Sequence, residues 1–65
     1  MSVELINIDG HRGHLIETSQ EDNGDWTYTA FGRNRREISQ RGYYTNEKEA
    51  LKGAKEAINA YLKGE

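Results

Sequence analysis

The chain has no cysteine, no proline and a single methionine, and its six aromatics are one Trp, four Tyr and one Phe in 65 residues. Without cysteine there is no disulfide stapling of the kind small secreted domains use, and no thiolate metal site. Without proline there is no rigid linker. Mean hydropathy is −1.02, and no apolar run approaches the length of a membrane span. The start, Met-Ser-Val-Glu, shows no basic stretch followed by an apolar one, so no signal peptide is expected. These absences point to a cytoplasmic chain without a membrane association. A chain this short buries only about 60% of its unfolded surface. With 34% hydrophobic residues it can cover one sheet face with one helix, and it leaves no room for a deep substrate cavity.

Charge of either sign is unevenly spread. The formal net charge is −2. Residues 1–32 carry six carboxylates against Arg12 alone, and residues 33–65 carry four arginines and four lysines against five glutamates. Such asymmetry is what a surface for a polyanion or an acidic partner looks like, and it is equally what two solvated faces look like.

What remains reads as an α+β fold, an antiparallel sheet of three or four strands packed on one C-terminal helix. Residues 1–65 form a single domain. Residues 3–8 are β-branched enough for a strand, and Asp9-Gly10 suits a hairpin turn after them. Residues 14–20 give a second strand. Asn23-Gly24 is the strongest turn signal. Residues 26–32 alternate aromatics with threonines as a half-buried strand does. Gly32-Arg33-Asn34-Arg35 is a further turn, and residues 36–44 hold the last strand. Register is open. A two-residue Asn23-Gly24 loop sets Glu21, Ser19 and Glu17 against Trp26, Tyr28 and Ala30. One extra loop residue sets Gln20, Thr18 and Ile16 there, because a single slip exchanges the faces.

The helix, over residues 46–63, has the clearest pattern. Asn46 followed by Glu49 has capping spacing, with Thr45 as a competitor. Ala50, Leu51, Ala54, Ala57, Ile58, Tyr61 and Leu62 fall within an arc of roughly 140°. Gly64 is expected to end the helix as its C′ residue. Gly53 inside a helix costs about 1 kcal/mol relative to alanine. It is explained by a close approach of helix and sheet, or by a groove or helix–helix contact along the edge it shares with Ala50, Ala57 and Ala60.

Chemistry-bearing constellations are few. His11 and His14, with Asp9 nearby, have too few companions for the three or four ligands zinc needs. They read as turn and strand-start residues, and no metal or cofactor is expected. No Gly-x-Ser-x-Gly elbow and no phosphate-cradling glycine loop is present. The acids at Glu17, Glu21, Asp22 and Asp25 surround an exposed turn, where nothing desolvates them. The chain is therefore expected not to be an enzyme. Arg33, Arg35, Arg36 and Arg41 stand within nine residues, with Tyr43 and Tyr44 close behind. Guanidinium forks suit phosphates and base edges.

From Gly24 onward, Gly24-x-Trp26-x-Tyr28-x-Ala30, then Gly32 and the arginines, then Gly42-x-Tyr44-x-Asn46-x-x-Glu49-Ala50 resembles the DNA-binding domain of plant ethylene-response factors and the arm-binding domain of phage-type integrases. That resemblance implies three antiparallel strands on one helix and DNA binding through the sheet. Only Arg33, Arg35, Arg36 and Arg41 match the basic part of that pattern. Residues 42–64 are also similar to the end of HicB-type antitoxin domains. These share a sheet-plus-helix architecture related to double-stranded-RNA-binding domains, and there the fold implies a toxin partner. Two expectations follow, both for a small non-catalytic module, monomeric or homodimeric. In the first, Arg33, Arg35, Arg36, Arg41 and Tyr43 hold nucleic acid. In the second, a protein-partner module (antitoxin, adaptor or phage-type inhibitor) uses the acidic edge at Glu17, Glu21, Asp22 and Asp25.

Overall fold

The computed structural model describes residues 6–64. Four strands precede one helix: β1 (Ile6–His11), β2 (His14–Gln20), β3 (Trp26–Phe31), β4 (Glu37–Tyr44) and α1 (Glu47–Lys63). The strands form one antiparallel meander in the order β1-β2-β3-β4. The α+β class and the single C-terminal helix are as the sequence predicts.

The first hairpin differs from expectation. Asp9 and Gly10 lie within β1, and the turn is Arg12-Gly13, with φ of 53° and 83°. Two positive φ values in a two-residue loop define the primed turn that matches strand twist. This placement pairs every residue from Ile6↔Ser19 to His11↔His14. A turn at Asp9-Gly10 would have put Arg12 and Gly13 inside a strand. Residues 3–5 of the expected strand lie outside the described residues.

The β2–β3 loop decides the register. Glu21 N–H donates to Asp25 O at 2.7 Å and Gly24 N–H to Glu21 O at 2.9 Å. Gly24 sits at φ 92°, the left-handed position that closes a three-residue hairpin loop. Gln20, Thr18 and Ile16 therefore face Trp26, Tyr28 and Ala30. This is the register with one extra loop residue, and it keeps the acids off the helix-covered face.

Among the described residues the core is the six residues Ile16, Tyr28, Ala30, Ala50, Ala54 and Ile58, with Thr18 buried among the strands. Three of the six are alanines, so the helix lies close on the sheet. Leu51, Ala57 and Leu62 are only partly buried, and Tyr61 is 42% exposed. Ile58, rather than the leucines and Tyr61, is the long side chain that docks the helix. The helix covers β2, β3 and β4 and meets β1 at His11 through Asn59, while Ile6 to Gly10 of β1 are exposed.

Asn46 is extended, and its side chain accepts the Glu49 N–H at 2.9 Å. Asn46→Ala should cost about 1 kcal/mol and lower the thermal midpoint by about 4–8 °C, read by circular dichroism. At the other end Gly64 is right-handed, with φ −80°, and its N–H bonds Ala60 O. Gly64 therefore ends the helix as expected, without the left-handed conformation common at such glycines. No helix among the described residues is long and apolar enough to cross a membrane.

Candidate functional site

The register sets which loops share an end of the sheet. His11↔His14 and Phe31↔Glu37 place the Arg12-Gly13 turn and the Gly32–Arg36 loop at one end. Gln20↔Trp26↔Tyr44 places the Glu21–Asp25 loop at the other, beside the start of the helix. The helix C-terminal turns reach the first end. There Asn59 Oδ1 accepts from Arg12 at 3.2 Å and from His11 at 2.9 Å, and the Tyr61 ring stands edge-on to His14. The two ends are about 20 Å apart along β3.

Charge follows these ends, not the halves of the chain. Arg33, Arg35 and Arg36 are exposed on one loop, and Arg12, from the acidic half of the sequence, is exposed on the neighbouring turn. Glu21 and Asp22 are exposed at the opposite end with Asp25, and Glu47 and Glu49, from the basic half, open the helix there. The helix dipole favours those two glutamates at its N-terminus.

The two longer hairpin loops share one construction. Gly32 N–H donates to Arg36 O at 2.7 Å and Arg35 N–H to Gly32 O at 3.0 Å, repeating the Glu21–Asp25 pattern. In each loop an asparagine, Asn23 or Asn34, accepts the N–H two residues on. The left-handed position is Gly24 in one loop and Arg35, at φ 64°, in the other. A left-handed conformation costs a non-glycine residue roughly 1–2 kcal/mol. Arg35→Gly should therefore raise stability by about 0.5–1 kcal/mol after the entropy of the added glycine is counted, measured by urea unfolding.

The remaining expected residues are not brought together with this loop. Arg41 lies on β4 opposite Tyr28 and lines an open groove of about 580 Å³ between β4 and the helix, with Tyr44, Glu56, Ala57 and Ala60. The Tyr44 hydroxyl there ionises above the usual tyrosine value. Burial is the largest cause, Tyr28 is the next, Arg41 opposes, and Glu56 adds a little. Tyr43 stands at the acidic end, 88% exposed, at φ 67° in a bulge of β4 opposite Thr27. It lines a cleft of about 420 Å³ with Glu21, Asp22, Asn23 and Asp25. Glu17 is apart from those three acids, mid-strand on the face away from the helix and opposite Ile8.

Arg12 is the residue that sequence reasoning missed, and its signal was Arg-Gly between two histidines. His14 opens β2, as the sequence predicts. It is also buried, 3% exposed, with Nδ1 donating to Phe31 O at 3.1 Å. Among the described residues no group of three or more His, Asp or Glu side chains is placed to hold a metal ion. Compared with known protein families, with curated proteins and with solved structures, the chain gives no match.

Proposed function

We propose that this is a non-catalytic module that binds the phosphate backbone of a nucleic acid at its arginine end. The observation that carries the reading is Arg35. It occupies a backbone position where the sister loop has glycine, beside Arg33 and Arg36 and at the same end as Arg12. An arginine kept where glycine is less strained is consistent with a role for its side chain. Four exposed guanidinium groups on two adjacent loops suit phosphates, which they bind as forks. The resemblance of residues 24–50 to sheet-plus-helix DNA-binding domains supports the same class. Arg41 and Tyr43 are not part of this end.

Such binding is local and dominated by counterion release. With about four phosphates neutralised, log K falls with log salt at a slope of about −3.6. Fluorescence anisotropy with labelled single- and double-stranded DNA and RNA at 50 and 200 mM salt tests this. The triple variant Arg33→Ala, Arg35→Ala, Arg36→Ala should weaken binding at least tenfold and flatten the slope. Arg35→Gly should bind more weakly while unfolding later. Failure to bind any of the four probes at 50 mM salt, or binding indifferent to the triple variant, overturns the reading.

A second reading rests on the opposite end. The cleft lined by Glu21, Asp22, Asp25 and the exposed ring of Tyr43 suits a cationic side chain of a protein partner, held by charge and by the aromatic face. A partner captured by the wild type and lost with Asp22→Lys and Asp25→Lys would favour it.

A further inference from the structure

The geometry points to β1 as the interface of a symmetric homodimer, formed by antiparallel pairing with the β1 of a second copy through the edge that no other strand among the described residues covers. This inference does not depend on the nucleic-acid reading.

The two edges of the sheet are treated differently. The β4 edge is interrupted by two register shifts and by Tyr43 in a left-handed conformation. Bulges of this kind blunt an edge against further pairing. β1 has six consecutive pairs to β2 with no shift. It contains no lysine, arginine or proline, and its Ile6 and Ile8 are 51% and 68% exposed.

Hydrogen-bond parity identifies the free groups. Glu21 N–H points to β3, so the odd residues of β2 bond β3 and the even ones, His14, Ile16 and Thr18, bond β1. Their partners are His11, Asp9 and Asn7. The N–H and C=O groups of Ile6, Ile8 and Gly10 therefore point away from the sheet. The Gly10 N–H is met by Asp9 Oδ1 at 2.7 Å, as an outward group without a strand partner would be.

A two-fold axis at Ile8 makes this edge complementary to itself. Ile8 pairs with the partner's Ile8, Asn7 lies opposite the partner's Asp9, and Ile6 lies opposite the partner's Gly10. On the helix side, each Asn7 amide can donate to an Asp9 carboxylate across the axis. On the other side, Ile6 covers the bare Gly10 of the partner and extends toward the partner's Leu15, itself 43% exposed. The axis also reverses the partner end for end. The arginine end of each protomer then lies on the same side of the joint sheet as the acidic loop of the other, which favours this pairing over a parallel one.

Sedimentation equilibrium tests it. The interface is small, so association is expected at the weak end of specific interfaces. The average mass should rise from 7.4 kDa toward twice that between about 10 µM and 1 mM. Ile8→Pro removes an outward N–H without touching the bonds to β2, a substitution edge strands tolerate, and it should hold the protein monomeric at 1 mM. Amide exchange gives a readout that needs no variant. The Ile8 N–H should become protected as concentration rises, while the Asn7 and Asp9 amides are protected throughout. A wild type monomeric at 1 mM, a dimer that survives Ile8→Pro, or an Ile8 amide indifferent to concentration overturns the inference.

Discussion

Ile58→Ala should lower the thermal midpoint by about 15 °C or more and leave a large unfolded fraction at 37 °C. Ile58 and Ile16 are the largest fully buried side chains among the described residues. Truncating a buried isoleucine to alanine costs about 2–5 kcal/mol, and the spread depends on how far the surroundings collapse into the gap. Here they collapse little. Three of the other core residues, Ala30, Ala50 and Ala54, are alanines with no length to swing inward. Total stability for a chain of this size is about 3–10 kcal/mol, so one substitution removes a large part of it. Each kcal/mol moves the midpoint of so small a domain by about 4–8 °C. The comparison is Leu51→Ala, at a half-buried position on the same helix, which should cost less than half as much. A loss below about 1 kcal/mol at Ile58 would mean that the helix does not dock through this side chain.

The helix was readable because two independent signals agree there. The Asn46–Glu49 cap fixes its start, and a 3.6-residue stripe fixes its buried side. Strands β2, β3 and β4 were readable for a similar reason, since alternation and the Asn23-Gly24 and Gly32–Arg35 turns bracket them. The sequence places the first hairpin turn three residues too early because Asp-Gly is the stronger local turn signal. Arg-Gly prevailed through six cross-strand pairs, which no local reading counts. The β2–β3 register needed the loop hydrogen bonds, because Asn23-Gly24 serves both a two-residue and a three-residue loop.

The arginine cluster was legible as Arg33, Arg35 and Arg36 because they are sequence neighbours. Its fourth member, Arg12, comes from a turn 21 residues before Arg33 and joins only through the meander. Proximity in sequence groups Arg41 and Tyr43 with the cluster. A strand, however, carries each residue about 3.4 Å further from its loop, so Arg41 sits beside the groove with Glu56 and Tyr43 at the acidic end. The same geometry turns two charged halves into two charged ends, as Glu47 and Glu49 return to the acidic loop on the far side of β4.

Gly53→Ala should destabilise the domain by about 1–2 kcal/mol, although the same change elsewhere on a helix surface gains about 1 kcal/mol. A Cβ at Gly53 would come within 2.8 Å of Tyr44 Cζ and closer still to its hydroxyl. Tyr44 is held at two points, although its other side lines the open groove. Its ring lies against Tyr28, with centroids 5.8 Å apart. Its backbone pairs with Trp26 directly after the bulge at Tyr43. Gly53→Leu should cost about 3 kcal/mol or more, as an overpacked site does. The close approach that Gly53 permits is thus to a side chain of β4, and Ala57 and Ala60 are left to line the groove further along. The decisive measurement is a double-mutant cycle by urea unfolding. In a Tyr44→Ala background the obstruction is gone and only helix propensity remains, so Gly53→Ala should become stabilising. The two effects would then be coupled by about 2 kcal/mol, within the range found for residues in contact. An additive cycle would place the Tyr44 ring somewhere other than across Gly53, and the mobility of that ring would then have to explain why a glycine is kept in the second turn of the helix.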